Sequence, residues 1–180
     1  MKFSDATIAK AQKIKLLILD VDGVMTNNLL HYCDDGSEIK SFNTRDGHGM
    51  VMLQKSDVDI AIITGRASPL VTKRMADLKV KHVHQGVPDK LPTFLALTET
   101  LNIRLDEIAY IGDDILDLPI LTQVGLSATP ADGDDEVKSR VDYVSDFEGG
   151  RGCVRQMCEL IMKSQGTWQK QMDFYLRTSL

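Results

Sequence analysis

Two aspartates stand two positions apart at the end of the first apolar run in this 180-residue chain. The run Leu16–Leu19 leads into Asp20-Val21-Asp22-Gly23. At the end of a strand, side chains at positions i and i+2 project to the same side, and a glycine then lets the backbone turn sharply. Two neighbouring carboxylates repel each other unless a cation lies between them, so Asp20 and Asp22 predict a Mg²⁺ site. A solvated acidic turn is the alternative for the pair taken alone.

A second polar segment, Thr64-Gly65-Arg66, ends the apolar run Ile60–Ile63. The hydroxyl of Thr64 and nearby backbone N–H groups can bind phosphate oxygens, and Gly65 lets the chain approach a ligand closely. Lys90 stands immediately before a helical pattern and is a candidate cation for the same ligand. A plain Thr-Gly turn and a surface lysine are the alternatives when each feature is considered alone.

Three aspartates follow another apolar run, Glu107–Ile111. The sequence continues Gly112-Asp113-Asp114-Ile115-Leu116-Asp117. Acidic residues at the start of a helix interact favourably with its dipole, so capping alone would explain Asp114 and Asp117. Capping does not require three acids with the first directly at a strand end, so the segment is a candidate ligand-binding cluster.

Alternating strand and helix patterns would position these residues. Continuous apolar runs bounded by charge, typical of buried parallel strands, occur at Lys15–Val21, Asp59–Ile63, Glu107–Ile111 and Gly125–Ala128. Helical patterns occur at Met50–Lys55, Ser68–Leu78, Leu91–Leu101, Ile115–Val124 and Cys153–Ser164. The alternation predicts a doubly wound, Rossmann-like α/β fold, a parallel sheet with helices on both faces. Ligands bind at the carboxyl ends of the strands in such sheets, where the polar segments lie.

One stretch departs from the alternation. Leu29–Cys33 and Ser37–Asn43 flank Asp34-Asp35-Gly36, a turn signal that predicts a β-hairpin after the first strand. The hairpin, at about residues 26–43, would form a flap over the carboxyl edge in place of a cap domain. We therefore expect one domain over residues 1–180, with a C-terminal loop and tail at about 146–180. The tail Thr167–Leu180 is amphipathic, and we expect it to pack on the body of the protein or on a neighbouring subunit.

The composition limits the class of partner. The formal net charge is −5 and no basic cluster could follow a phosphate backbone, so nucleic acid is not expected as a partner. The sequence predicts no signal peptide, and no segment has the roughly 20 apolar residues that span a bilayer. The three cysteines lack zinc-type spacing and are interpreted as reduced thiols of a cytoplasmic protein.

The order of the polar segments resembles the four motifs of the haloacid dehalogenase superfamily: Asp-x-Asp, Thr or Ser, Lys, and an acidic Gly-Asp-Asp cluster. The chain is similar throughout to one subgroup, the cap-less tetrameric phosphatases of 3-deoxy-D-manno-octulosonate 8-phosphate (KDO 8-phosphate). Similar stretches are Ile8–Gly23, Lys40–Gly49, Ala61–Arg66, Gln85–Lys90, Ala109–Pro119, Gly149–Gly152 and Val154-Arg155. One departure is Thr26-Asn27-Asn28, where such proteins have Ser/Thr-Asp-Gly. Asparagine tolerates the left-handed conformation that glycine would supply, so the hairpin is still expected.

The resemblance implies a Mg²⁺-dependent phosphatase that releases the free sugar acid through an aspartyl-phosphate, in lipopolysaccharide core biosynthesis. Asp20 would be the nucleophile, and Asp22 would act first as general acid and then as general base. Thr64 and Lys90 would bind the phosphoryl oxygens.

The resemblance also implies how the metal is held. A carboxylate oxygen of Asp20, the backbone carbonyl of Asp22 and Asp113 would hold Mg²⁺. Asp114 and Asp117 would orient its water ligands and Lys90.

The resemblance assigns substrate binding partly to a neighbouring subunit. Gly65 and Arg66 would contact the substrate, and Arg74 of an adjacent protomer would help to bind the sugar-acid carboxylate. Arg151 lies in a glycine-rich segment that resembles a loop closing over the neighbouring site. A homotetramer with shared active sites is implied. Solvated surface charges are the alternative for Arg74 and Arg151.

Other functions remain open at this point. A phosphatase of the same subgroup could act on another sugar-acid phosphate, of the nonulosonate 9-phosphate type. A phosphoreceiver-like switch also uses acids, Mg²⁺, Thr and Lys, but its acceptor comes from an interior strand and it does not need an acid two positions on. A non-catalytic regulatory subunit would lack a motif residue, and none is missing. The four histidines are interpreted as structural, and Arg45-Asp46-Gly47 as a turn before a helix, with a substrate role as the alternative because it lies near the base of the hairpin.

Overall fold

A six-stranded parallel sheet forms the centre of the computed structural model, which describes residues 3–177. The strands of the chain are β1 (Leu16–Leu19), β2 (His31–Tyr32), β3 (Glu38–Ile39), β4 (Asp59–Ile63), β5 (His82–His84), β6 (Ile108–Ile111), β7 (Leu126–Thr129) and β8 (Tyr143–Val144). The order across the sheet is β5-β4-β1-β6-β7-β8, and β2 and β3 form a separate antiparallel hairpin. The predicted hairpin flap therefore lies outside the main sheet.

Helices cover both faces of the sheet. They are α1 (Asp5–Ala11), α2 (Thr44–Gln54), α3 (Pro69–Asp77), α4 (Lys90–Leu101), α5 (Leu118–Leu121), α6 (Asp135–Lys138), α7 (Cys153–Ser164) and α8 (Trp168–Leu176), with short 3₁₀ turns at Leu105–Glu107 and Ile115–Asp117. No helix among residues 3–177 is long and apolar enough to cross a membrane.

Alternate residues of each strand pack into two separate cores. In β1, Leu17 and Leu19 face the core that α1, α2, α3 and α7 cover. Leu16 and Ile18 face the other core, which includes Phe94 of α4. Strands that are buried on both sides are continuous apolar runs, which explains the sequence pattern. The predicted doubly wound α/β fold is confirmed.

The register of the sheet brings the polar segments to one edge. Leu19, the last residue of β1, pairs with Ile62 of β4 and with Ile111 of β6. The residues that follow these three strands therefore emerge side by side. The central position of β1 places Asp20 between the other two segments.

Two helix predictions need correction. The helix predicted at Met50–Lys55 begins at Thr44, so the predicted turn at Arg45-Asp46-Gly47 is its first turn. The side-chain oxygen of Asn43 caps this helix by accepting hydrogen bonds from the N–H groups of Arg45 and Asp46. Gly49 is needed inside the helix because a Cβ there would lie 2.9 Å from Arg155 Cδ on α7. Close packing, rather than a turn, explains both glycines, since Gly49 lies against Arg155 of α7 and Gly47 against Arg74 of α3.

The second correction concerns the helix predicted at Ile115–Val124. The chain instead forms the 3₁₀ turn Ile115–Asp117 and then the single α-helical turn α5. Proline lacks an N–H group, and Pro119 stands in the first turn of α5, where this loss is tolerated. The bend lets Asp117 point back towards the sheet.

The tail is helical over α8. Trp168 is partly buried against the main core, whereas Tyr175 and Leu176 are 42% and 61% exposed. The predicted tail extends to Leu180, beyond the described residues.

Candidate active site

Asp20 leaves the end of β1 and is 7% exposed. Its Oδ1 accepts a hydrogen bond from the N–H of Val21 at 2.6 Å, and its Oδ2 lies 2.9 Å from Lys90 Nζ. Gly23 then turns the chain with φ +86°, and a Cβ at this position would lie 1.9 Å from Asp113 Oδ2. Only glycine fits here, because the backbone of the first segment passes directly beside the acid of the last.

Lys90 begins α4, and its side chain is 4% exposed. Its ammonium group lies between Asp20 and Asp117, whose Oδ1 is 2.7 Å away. Burial disfavours the ammonium ion, but the two carboxylates outweigh it and raise the pKa of Lys90. The predicted surface alternative for Lys90 is therefore wrong.

Asp117 is fully buried and engages both of its oxygens. The hydroxyl of Tyr110 donates to the same Oδ1 at 2.6 Å, and Oδ2 accepts from the N–H groups of Asp113 and Asp114 at 3.1 and 3.4 Å. Because its oxygens are taken by protein donors, Asp117 is suited to fix Lys90 and the backbone of the acidic segment.

Thr64 follows β4 and is buried at the same edge. It lines a cavity of about 420 Å³ together with Asp20, Asp22, Asn28, Gly65, Arg66, Pro88, Lys90, Asp113, Asp114, Leu116 and Asp117. All four predicted polar segments contribute to this cavity. Asp114 is exposed there, and its Oδ1 accepts from the N–H of Ile115 at 2.6 Å, the capping contact considered above.

The acidic side chains fit a metal ion. Carboxylate oxygens of Asp20, Asp113 and Asp117 lie within 4.8 Å of one another. Burial, with the charges of Asp20 and Asp117, raises the pKa of Asp113 to about 8. Burial also raises the pKa of Asp20 to about 6, although Lys90 opposes the rise. A divalent cation would offset the repulsion among these buried carboxylates. Mg²⁺ prefers ligands that are all oxygen atoms, and this set provides them.

The hairpin reaches the site through ionic contacts. Lys40, directly after β3, forms an ion pair with Asp22 Oδ1, and its Nζ lies 3.7 Å from Glu38 Oε1. Arg66 donates to Glu38 at 2.8 Å, and its Nε lies 3.7 Å from Asp22 Oδ2. The side chain of Asp22 therefore points towards the hairpin rather than into the cluster of Asp20, Asp113 and Asp117.

Asn28 makes a further contact between the start of the hairpin and the site. It adopts φ 62°, the left-handed conformation expected at this position. Its Nδ2 donates to Asp113 Oδ2 at 3.2 Å. The asparagine thus keeps the turn that glycine commonly supplies and adds a side-chain contact.

Two predicted substrate residues lie away from this cavity in the same chain. Arg74 donates to the carbonyl oxygen of Asn43 at 3.4 Å and lies over the ring of Phe42. Arg151 pairs with Glu148 at 3.1 Å and lines a separate cavity of about 630 Å³. Their contact with a neighbouring active site stays a prediction.

Sequence reasoning missed Lys40, Glu38, Tyr110 and Asp46. Tyr110 lies within an apolar strand and resembles a core residue, whereas Lys40 stands two positions after Glu38, directly after the hairpin strand β3. That charged alternation was the available signal. Asp46 is 2% exposed, and its Oδ1 accepts from the N–H of Arg155 at 2.7 Å. It caps α7 from another helix, a role with no local sequence signal.

Comparisons with known proteins agree with this site. The sequence profile of the haloacid dehalogenase-like hydrolases matches residues 83–156. The chain is 46% identical over 159 residues to the 3-deoxy-D-manno-octulosonate 8-phosphate phosphatase KdsC of Escherichia coli K12, covering 88% of this chain and 85% of that protein.

Solved structures agree as well. The KDO 8-phosphate phosphatase of Yersinia pestis superposes with a TM-score of 0.92 at 43% identity, covering 93% of this chain and 90% of that one. The KDO 8-phosphate phosphatase of Moraxella catarrhalis, solved with a magnesium ion, a phosphate ion and a KDO molecule, gives a TM-score of 0.94 at 36% identity. That match covers 96% of this chain and 99% of the other.

The parallel sheet, with its acidic, threonine and lysine segments at one edge, defines a haloacid dehalogenase-like hydrolase. The relatives narrow the class to enzymes that hydrolyse phosphoric monoesters. The chain belongs to the family of 3-deoxy-D-manno-octulosonate 8-phosphate phosphatases.

Proposed function

We propose that this enzyme hydrolyses KDO 8-phosphate to the free sugar acid and phosphate through an aspartyl-phosphate on Asp20, with Mg²⁺ as cofactor. One observation carries the proposal: the buried carboxylate of Asp20 lies 2.9 Å from Lys90 Nζ in a cavity that Asp22, Thr64 and Asp113 also line. Such a carboxylate can attack phosphorus while neighbouring groups neutralise the charge of the phosphate.

In the first step, an oxygen of Asp20 forms a bond to phosphorus and the bond from phosphorus to the sugar oxygen breaks. Asp22 gives a proton to the departing oxygen, so the sugar acid leaves as an alcohol. Thr64 and Lys90 bind the phosphoryl oxygens, over which charge spreads in the transition state.

In the second step, Asp22 takes a proton from water, whose oxygen attacks phosphorus. The bond between Asp20 and phosphorus breaks, and phosphate leaves with Asp20 restored. Asp22 gives one proton to the sugar oxygen and then takes another from water, so the enzyme is unchanged after each cycle.

The carboxylates of Asp20 and Asp113 and the backbone carbonyl of Asp22 would hold Mg²⁺. When bound, Mg²⁺ supplies positive charge that neutralises the phosphoryl oxygens and lowers their repulsion of the nucleophile. Asp117 holds Lys90 in place, and Asp114 would orient water at the mouth of the cavity.

Substrate choice depends on groups outside the phosphate apparatus. Gly65 leaves room beside the phosphate, and Arg66, whose side chain is 43% exposed, would bind the sugar-acid carboxylate. We propose that the enzyme is a homotetramer in which Arg74 and Arg151 of a neighbouring protomer complete the sugar site. The exposed apolar side chains of the hairpin, Leu29 and Tyr32 among them, support such an assembly.

The proposed setting is lipopolysaccharide core biosynthesis in the cytoplasm. An odd number of cysteines without disulfides supports a reducing compartment.

A phosphatase screen with Mg²⁺ tests the function. The enzyme should show its highest kcat/KM with KDO 8-phosphate among sugar-acid phosphates, and Asp20→Asn should lower kcat by at least about 10³-fold. Asp135→Asn, at a carboxylate whose side chain is 99% exposed, is the matched control and should leave activity unchanged. A preference for a nonulosonate 9-phosphate would change the substrate, whereas turnover by a folded Asp20→Asn variant would refute the nucleophile.

A further inference from the structure

Lys40 is a buried cation directly beside the proposed general acid. Its side chain is 2% exposed although it lies on a surface hairpin. Lysine keeps its charged end in water unless the ammonium group is paired. Here the ammonium group contacts Asp22 Oδ1 and also lies 3.7 Å from Glu38 Oε1. Two carboxylates therefore fix one ammonium group.

The strands of the hairpin meet the rest of the chain through charged side chains, Lys40 with Asp22 and Glu38 with Arg66. Of its apolar side chains, Phe42 at the base packs against the main core, whereas Leu29, Tyr32 and Ile39 are 59%, 65% and 55% exposed. Apolar burial therefore helps to hold the base of the hairpin but contributes little along the strands β2 and β3. The contact between Lys40 and Asp22 joins the hairpin to the catalytic loop.

Lys40 and Arg66 contact different oxygens of Asp22. Lys40 pairs with Oδ1, and Arg66 Nε lies 3.7 Å from Oδ2. Arg66 donates to Glu38 as well, but its side chain is 43% exposed, so it has room to turn towards a substrate carboxylate. Lys40 has no comparable access to solvent. It can therefore hold Asp22 while Arg66 changes partners.

We propose that Lys40 is a positioning residue that fixes the carboxyl group of Asp22 for proton transfer to the leaving group. Glu38 supports it by anchoring the ammonium group from the hairpin. This inference rests on the proposed function, because it assigns Asp22 the role of general acid. It makes the hairpin part of the acid–base apparatus as well as a wall of the cavity.

A series of substituted phenyl phosphates tests the inference. These substrates share the phenyl ring and differ in the basicity of the leaving oxygen, and none of them has a sugar whose lost contacts could contribute. A general acid matters most for a poor leaving group and least for p-nitrophenol. Lys40→Met should therefore lower kcat/KM for phenyl phosphate by about 10- to 100-fold and for p-nitrophenyl phosphate by less than about threefold.

Three comparisons separate positioning from a structural role. Lys40→Arg should recover part of the lost rate with phenyl phosphate, because it keeps a cation beside Asp22. In an Asp22→Asn background, Lys40→Met should cause almost no further loss, since the two residues act on the same step. Lys10→Met removes the lysine of another ion pair, with Asp142, on α1 and is the matched control.

The outcomes are distinct. An equal loss of kcat/KM across the series, or a loss that adds fully to that of Asp22→Asn, would overturn the role of Lys40. The proposed function of the enzyme would still stand. If Lys40→Met does not fold, Glu38→Gln should show a weaker form of the same leaving-group dependence, and its absence there would overturn the role as well. If the unaltered enzyme with Mg²⁺ hydrolyses no phosphate monoester, the proposed function fails and this inference fails with it.

Discussion

Replacing Asp117 with asparagine removes one charge from the most buried acid of the site. The two carboxylate oxygens accept from four donors: Lys90 Nζ, the Tyr110 hydroxyl and the N–H groups of Asp113 and Asp114. An asparagine offers one oxygen and one NH₂ group. In either orientation the NH₂ group must face two donors, so both of them lose their acceptor.

The size of the effect follows from these contacts. A buried donor without an acceptor costs about 1–3 kcal/mol, and removing one partner of a buried ion pair costs about 3–5 kcal/mol. The two costs overlap because Lys90 is both a donor to Asp117 and its partner in the ion pair. We expect a loss of about 3–5 kcal/mol in the free energy of unfolding, or about 6–20 °C in Tm for a chain of this size.

The measurement is urea or thermal unfolding in the presence of a chelator. Tyr110→Phe is the comparison: it removes one donor and leaves the carboxylate, so the expected loss is about 1.5–3 kcal/mol. Activity should fall much further in Asp117→Asn than in Tyr110→Phe, because Lys90 then lacks the partner that directs it to Asp20.

The sign of the stability change is the critical result. Asp117 also raises the pKa values of Asp20 and Asp113, secondary in both cases to burial, so the three carboxylates repel one another. If repulsion outweighed the hydrogen bonds, metal-free Asp117→Asn would be as stable as the unaltered protein, or more so. That result would refute our interpretation that the hydrogen bonds to Asp117 outweigh the repulsion among the carboxylates.

Three other predictions concern the metal, the glycine turn and the assembly. In metal-free protein the free energy of unfolding should fall as pH rises from about 4 to about 8 in chelator-treated urea titrations. Burial raises the pKa of Asp20 to about 6 and of Asp113 to about 8, so the native state keeps protons that the unfolded state has lost. Saturating Mg²⁺ should remove this slope, and a slope unchanged by Mg²⁺ would argue against metal binding at these acids. Gly23→Ala should weaken Mg²⁺ binding in calorimetry because its Cβ would overlap Asp113. Gly36→Ala is the control: it has the same backbone strain, with φ +82°, but its Cβ would meet nothing within 4 Å. An equal loss of Mg²⁺ affinity in both variants would contradict the steric argument. Mixed oligomers of Arg74→Ala and Asp20→Asn protomers should recover activity, and verified mixtures that stay inactive would contradict a shared site.

The sequence was sufficient for residues that directly follow strands. Asp20, Thr64 and Asp113 each follow a continuous apolar run, and the edge of a parallel sheet brings such positions together. Their convergence needs only the strand order. Lys90 begins a helix and is also brought to this edge, where Asp20 and Asp117 hold it.

Residues whose partners lie far along the chain could not be found in this way. Asp46 accepts a hydrogen bond from Arg155, 109 positions away, and its local sequence fits a turn equally well. Two glycines close to it lowered the helix signal, although Gly49 is there to admit α7. Lys40 is similar: its burial depends on the hairpin folding back onto Asp22, which local periodicity does not show.

Packing within one chain restricts how the glycine-rich segment Gly149–Gly152 can contact a neighbouring subunit. A Cβ on Gly149 would lie 1.9 Å from the carbonyl oxygen of Gly23, and the N–H of Gly150 donates to the carbonyl oxygen of Val24 at 2.9 Å. The backbone of this segment is thus fixed against the loop that carries Asp22. If Arg151 reaches a neighbouring active site, it must do so mainly through its side chain, which is 67% exposed. A rigid backbone would reduce the entropy lost when Arg151 binds. It would also link sugar binding in one protomer to the catalytic loop of another.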